Sequence, residues 1–328
     1  MKRLVARFLR SRQGRAGLAL LAAIAAGAIF ADFLAADLPL YLRHRGETYL
    51  FPNLTRPAAL RSFGPGALER SLGDGDLALF PPVRRGPDTA DLSARLSPPS
   101  AAHPLGTDGA GRDVLARLLH GARVALGVGA IAVAIELLVG LLLGAAAGYL
   151  GGAVDLAISR AIEAVLVLPT LLVVLAVAGT AGSLPVAAVG LVIGLTSWPG
   201  VARLVRGELL RIRELDFVGA SRALGASPVH TVLRHVLPNA RGPVLVAASF
   251  GLAGAILAES ALSFLGFGVR PPTATWGELL AQAHEHAISP GAWWLVLFPG
   301  AAVFLAVAGC NLVGEGLRRA LDPTDPCG

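Results

Sequence analysis

The stretch VALGVGAIAVAIELLVGLLLGAAAG, from Val124 to Gly148, carries a single ionisable side chain, Glu136, in twenty-five residues. About 20 apolar residues in helical form cross the ~30 Å hydrocarbon layer of a bilayer, so this run is long enough to span one. Five more runs of similar length flank it: Ala16 to Ala36, Ala161 to Ala181, Leu184 to Ala202, Pro243 to Leu265 and Ala292 to Val313. The composition agrees, with 54% hydrophobic residues, 15% charged residues and a mean hydropathy of +0.65, whereas soluble domains hold about 25% charged residues. The expected fold is an all-α polytopic membrane protein with six transmembrane helices.

Charge sets the orientation. Lys2, Arg3, Arg7, Arg10, Arg12 and Arg15 precede the first run with no acid among them, which places the N-terminus in the cytoplasm, and six crossings return the C-terminus to the same side. The loop from Arg203 to Arg241, with seven arginines against three acids, then also falls in the cytoplasm. The basic start and the small residues Ala35 and Ala36 also suit a signal peptide, but 21 residues is long for one, and an uncleaved anchor is expected. Asp37 to Arg123 lies outside on this reading, since long loops cross largely regardless of charge. Its clusters ETYLFPNL (Glu47 to Leu54) and LALFPPV (Leu77 to Val83), punctuated by Pro and Gly, predict a small cap with strands or irregular structure.

Several chemistries lack the residues they need. Lys2 is the only lysine, so no Schiff base or P-loop lysine is available deeper in the chain, and any nucleotide hydrolysis belongs to another subunit. Cys310 and Cys327 are too few and too differently placed for a disulfide framework or metal cluster. His284 and His286 stand at i, i+2 with no evident third ligand, so no metal site is expected. Gly140, Gly144 and Gly148, at spacing four, make a helix face that a second helix can approach closely. Glu136, Glu163 and Glu259 fall within apolar runs, where a carboxylate costs at least ~2.5 kcal/mol. They line a polar pathway or make buried hydrogen bonds at a subunit interface, and they are too scattered to form a catalytic cluster. A proton-driven secondary transporter working through Glu136 and Glu259 is the competing class.

Between two apolar runs stands DFVGASRALGASPVHTVLRHVLPN, Asp216 to Asn239. Leu215, Val218, Phe217, Ala220 and Leu224 recur at helical spacing, and Gly225 offers the left-handed conformation that ends a helix. Ser227 and Pro228 then cap and open a second helix, with Val229, Val232, Leu233 and Val236 on one face and His230, Thr231, Arg234 and His235 on the other; Pro238 limits it. The pattern would also serve a DNA-binding helix-turn-helix, but both flanks run into membrane spans, which leaves no domain to hold a recognition helix in a groove. Nucleic acid is not an expected partner.

This hairpin resembles the cytoplasmic signature of ABC importer permeases, with Ala220, Gly225, Leu237 and Pro238 in register. HPLGTDGAGRDVLARLLHGARVAL (His103 to Leu126), SWPGVARLVRGELL (Ser197 to Leu210), AESALSFLGFGVRPPTATWGELL (Ala258 to Leu280) and NLVGEGLRRALDP (Asn311 to Pro323) are similar, in the same order, to segments of the dipeptide, oligopeptide and nickel permeases. DLPLYLRHRGETYLFPNL (Asp37 to Leu54) and LALFPPVRRGPDTADL (Leu77 to Leu92) resemble the enlarged first periplasmic loop of oligopeptide and microcin C permeases, which favours peptides over nickel.

The resemblance implies a type I ABC importer permease fold in a bacterial inner membrane, with a periplasmic insertion between helices 1 and 2. It divides the chain into a basic tail and first helix (1–37), a periplasmic cap (38–121), a permease domain (122–320) with a coupling hairpin at 214–239, and a cytoplasmic tail (321–328). The implied partners are a second homologous permease subunit in a heterodimer, two ATP-binding subunits, an external substrate-binding protein and membrane lipid. The chain itself would bind no cofactor, ATP and Mg being used by the partner subunits. The ATPase-coupling residues carried over are Asp216, Gly219, Ala220, Ser221, Arg222, Gly225, Ser227, Pro228, Arg234, Leu237 and Pro238. Gly219 stands where the family has its glutamate and Ser221 where it has its second alanine; Asp216, one turn earlier, is the acid available to supply that charge.

Overall fold

A computed structural model describes residues 2–44, 46–60, 63, 67–73, 75–181, 184–213, 215, 237–285 and 291–321. The helices are α1 (Lys2–Arg10), α2 (Arg12–Ile29), α3 (Ala31–Leu34), α4 (Pro52–Thr55), α5 (Ala67–Ser71), α6 (Val114–Leu150), α7 (Gly152–Val167), α8 (Thr170–Ala181), α9 (Val186–Arg213), α10 (Leu237–Phe264), α11 (Trp276–Glu285) and α12 (Trp294–Leu321). Three strands, β1 (Tyr41–His44), β2 (Glu47–Leu50) and β3 (Leu77–Leu79), and two short 3-10 turns, Ala58–Leu60 and Leu92–Ala94, complete the described elements. The chain divides into two compact units, one of residues 1–21, 127–259 and 305–328, the other of residues 22–126 and 260–304.

Among the described residues, four helices are long and apolar enough to cross a membrane: α6, α9 over Val186–Ile212, α10 over Gly242–Phe264, and α12. Four of the expected runs fall on them. The run Ala161 to Ala181 falls on α7 and α8, a pair bent by 75° that passes the same test when taken together. The bend has a local cause: Leu168 precedes Pro169, is extended (φ −86°, ψ 114°) as a residue before proline tends to be, and its N–H closes the last turn on Val165 O. The run Ala16 to Ala36 falls on α2 and α3, and α2 is not among the four, because Arg12, Gln13 and Arg15 occupy its first turn. Backbone bonds carry the chain through the junction, from Phe30 N to Ala26 O (2.9 Å) and from Leu34 N to Phe30 O (3.0 Å).

In the first unit, glycines set how closely the helices approach and reveal their directions. A Cβ added at Gly140 would lie 2.6 Å from Val201 Cβ, at Gly144 2.6 Å from Ala202 O, and at Gly148 2.7 Å from Leu209 Cβ. From the opposite side, a Cβ at Gly190 would lie 2.9 Å from Ile131 Cβ, and one at Gly194 2.6 Å from Ala132 O. Each contact joins residues about sixty positions apart, so α6 and α9 run parallel, in register, each presenting glycines to the other's backbone. Val201, Val205, Leu209 and Ile212 are buried beside this seam, with Leu137, Leu141, Ala145 and Tyr149 packed on them. Because α9 begins level with the Gly127 region of α6, α7 and α8 together carry the chain back over that distance.

The remaining directions follow in the same way. A Cβ on Gly129 would lie 2.6 Å from Leu252 Cδ1, and one on Gly251 2.6 Å from Glu136 Oε2, so α10 opposes α6. Gly314 meets Phe250 (3.1 Å) and Gly242 meets Leu321 (2.5 Å), which sets α12 against α10. Gly17 meets Leu312 (2.7 Å) and Gly316 meets Gly14 (2.6 Å), which sets α2 against α12. Thus α6, α9 and α12 point one way, α2 and α10 the other. Asp155 in the first turn of α7 accepts both Nε (2.5 Å) and Nη2 (2.7 Å) of Arg206 on α9.

In the second unit, β1 is the centre of an antiparallel sheet of order β2-β1-β3, with Tyr41 opposite both Leu50 and Leu79. Alternation along β1 turns Leu42 inward, onto Leu60 and Leu68 with Leu38, Tyr49, Phe63, Leu72 and Ala78 around them. A second core gathers Val114, Leu279, Ala283, Trp294 and Leu295. With 37 residues, α6 is about 55 Å long at 1.5 Å per residue, nearly twice the ~30 Å hydrocarbon thickness, and its first turns carry Arg117, His120 and Arg123.

Candidate functional site

Among the described residues, the densest arrangement of buried charge lies in the second unit. The loop before α6 is shaped by Asp108, whose Oδ1 accepts the N–H groups of Ala110 (2.8 Å) and Arg112 (2.9 Å). Gly111 makes the tight part of this turn at φ +76°, against the backbone of Asp91. Asp91 itself accepts bonds from the Ser93 hydroxyl and N–H, which hold its carboxyl below the usual carboxylate range. Asp113 caps α6 through Ala116 N (3.0 Å) and holds buried His103 Nδ1 on its other oxygen (3.0 Å).

Opposite this loop, Thr275 caps α11: its hydroxyl accepts Glu278 N–H (3.1 Å), the spacing of a capping box. Gly277 leaves no room for a Cβ against the Ser260 backbone, so α11 sits directly on the C-terminal turns of α10. The Trp276 indole donates to Leu118 O (3.0 Å) and that of Trp294 to Thr107 O (3.0 Å). Thr275→Val is expected to lower stability by about 1 kcal/mol, the usual cost of a lost N-cap, read from the thermal midpoint of the detergent-solubilised chain.

The two segments meet through charge. Fully buried Arg117 donates Nη2 to Glu278 Oε2 (2.7 Å) and Nη1 to Pro87 O (2.8 Å), with Nε 3.6 Å from Asp108 Oδ2. Arg112 donates Nε to Asp108 Oδ2 (2.7 Å) and Nη2 to Glu278 Oε1 (3.1 Å). Gln282 completes the set, donating to Glu278 Oε1 (2.5 Å) and accepting from Gly109 N (3.0 Å). Two arginines balance two carboxylates, with most lone pairs and protons used, which is the condition for burying charge without a large penalty. This set holds no nucleophile paired with a base. Its chemistry is that of a neutral clamp tying the start of α6 to α11.

In the sequence these residues stand inside longer motifs that give them no role of their own. The signal was there as Asp108 and Arg112 at i, i+4 and Glu278 and Gln282 at i, i+4 in a chain poor in charge. What brings them together, a separation of over 160 residues, is invisible to local patterns.

The three acids singled out from sequence occupy different settings. Glu136 is buried on α6, its carboxylate against the Gly251 backbone of α10. Glu259 is fully buried on α10. Glu163 is exposed on α7 and pairs with Arg160 on the same helix (2.5 Å). Of the coupling residues, Asp216, Gly219, Ala220, Ser221, Arg222, Gly225, Ser227, Pro228 and Arg234 lie outside the described residues, and Leu237 and Pro238 open α10. His284, in the last turn of α11, stacks at a tilt on Phe264; His286 lies outside the described residues.

Residues 140–324 match the sequence profile of the binding-protein-dependent transport system inner membrane components. The chain belongs to this family. The permease is 42% identical to one Brucella suis protein over 72% of its own length and 78% of the relative's, and 38% identical to a second over 72% and 79%. It is 40% identical to an Escherichia coli protein over 72% and 78%. Their names assign them, provisionally, as a peptide permease, a peptide transport system permease and a D,D-dipeptide transport system permease. The permease is thus an inner-membrane transport component with several membrane-crossing helices, and its family is one of translocating subunits, not of enzymes.

Proposed function

We propose that this permease is one half of the translocation pathway of an ATP-driven peptide importer of the dipeptide and oligopeptide class. The observation that carries the reading is that relatives at 38–42% identity, from two genera, all bear names of peptide or dipeptide permeases. In this reading six helices cross the membrane in the type I importer arrangement: α2 with α3, α6, the α7–α8 pair, α9, α10 and α12. The alternating directions of α2, α6, α9, α10 and α12 support it, as does the approach of Gly14 to Gly316, which is what two chain ends on one side would give. The basic N-terminus makes that side the cytoplasm, so residues 38–121 form a periplasmic insertion and the hairpin at 214–239 faces the ATP-binding subunits. Two such subunits hydrolyse ATP with Mg, a second homologous permease completes the pathway, a substrate-binding protein delivers the peptide, and this chain holds no cofactor.

The test is uptake of a labelled dipeptide and a labelled oligopeptide into proteoliposomes holding the permease with its partner subunits. ATP-dependent uptake that needs the binding protein is expected. Uptake by this chain alone under a proton gradient would sink the importer, and ATP-driven uptake of nickel in place of peptide would sink the substrate assignment.

A further inference from the structure

Beside the C-terminal turns of α12, the N-terminal segment forms a cavity of about 540 Å³ whose charged lining, among the described residues, is basic: Arg7, Arg10, Arg12 and Arg319, with Ser11 and Gln13 between them. The cavity is built, not incidental. Ser11 breaks α1 from α2, its hydroxyl accepting Gly14 N–H (3.3 Å) as the cap of α2. Phe8, buried, is pinned at the same corner: a Cβ on Gly14 would lie 2.8 Å from its ring, and one on Gly316 3.1 Å. On α12, Glu315 is held by Arg318 and Arg319 of its own helix. Among the described residues, Arg10 and Arg12 form no ion pair with a carboxylate.

Four guanidinium groups around a pocket of this size suit a phosphate, which they can bind bidentately. Val5 and Leu9, one turn apart on α1 and about half exposed, lie on the face of the helix away from Arg7 and Arg10, so α1 is amphipathic, the form that rests on a bilayer surface. That placement sets the arginines at headgroup level, where the phosphate at hand is a phospholipid's, and a zwitterionic headgroup would bring an ammonium into a ring of arginines.

We propose that this cavity holds the headgroup phosphate of an anionic phospholipid, with Val5 and Leu9 on the other face of α1 turned to the bilayer. The proposal rests on the reading of α2 as a membrane crossing, which sets α1 at the bilayer surface.

The full-length chain, purified in a neutral detergent, is titrated with dioleoyl phosphatidylglycerol, dioleoyl phosphatidylcholine or inorganic phosphate, and bound ligand is measured by native mass spectrometry. Phosphatidylglycerol should be retained and the other two not. Arg10→Gln with Arg12→Gln should weaken it about fivefold per charge removed, so about 25-fold for the pair. Arg10→Lys with Arg12→Lys should retain most of the binding, and Arg270→Gln, on an exposed arginine in the other unit, all of it. Equal retention of phosphatidylcholine, undiminished binding in the double glutamine variant, or inorganic phosphate binding as tightly as the lipid would each overturn the proposal. The crossing is tested separately, by impermeant maleimide labelling of Ser11→Cys and Leu92→Cys in a Cys327→Ser background. Labelling of both from one face removes the crossing, while lipid retention in detergent reports on the cavity alone.

Discussion

Gly144→Leu is expected to abolish transport and to leave little folded protein in the membrane. Already the first carbon of the new side chain would lie 2.6 Å from Ala202 O, 3.0 Å from Ala202 Cα and 2.9 Å from Val205 Cβ. Two of these three atoms are backbone, so no rotamer change relieves the overlap and the helices must separate. Overpacking a tight site costs about 1–3 kcal/mol and occasionally more, and this site sits at the upper end because separation also breaks the contacts at Gly140 and Gly148. The control lies on α9: Gly200 and Gly207 are exposed and have nothing within 4 Å of an added Cβ. Gly207→Ala should therefore be neutral or stabilising by up to ~1 kcal/mol, the helix-propensity difference. Comparing the yield of folded chain and the uptake rate of the two variants checks the argument. If Gly144→Leu matches the wild type, α6 and α9 do not pack as described.

Arg117→Met should cost about 3–5 kcal/mol, the range for breaking a buried ion pair from one side. The loss is large because Glu278 and Asp108 would remain buried with Arg112 as their remaining cation in the cluster. Removing the opposing carboxylate as well, in Arg117→Met with Glu278→Leu, should recover part of the loss, since it is the unpaired charge and not the missing contact that dominates. The thermal midpoint of the solubilised chain reads both. An Arg117→Met midpoint no lower than that of Arg270→Gln would show that the cluster does not clamp α6 to α11.

Which parts of this architecture were legible beforehand depended on how local their causes are. The α6, α9, α10 and α12 spans announce themselves because an unbroken apolar run of bilayer length has few other uses. Gly140, Gly144 and Gly148 marked a close helix contact, but the partner, α9, and its matching Gly190 and Gly194 could not be read from spacing alone. Pro169 lies inside the third run, which a count of apolar residues takes as one span, and the 75° between its two pieces is a backbone effect that hydropathy does not register. Arg12 and Arg15 shorten the apolar part of α2, a subtraction that counting from Ala16 hides. The clamp was the least visible element, because Arg117 and Glu278 each look like ordinary surface charge until the turns at Asp108 and Thr275 bury them together.

The α6–α9 pairing also has an elastic consequence. Two rods joined at a single point flex independently, whereas two rods bonded at intervals along their length resist bending as one thicker beam. Glycine contacts recur from Gly190 to Gly148, so a displacement imposed near Arg213, where α9 ends just before the hairpin segment, should travel the length of the seam with little attenuation instead of being absorbed as local curvature.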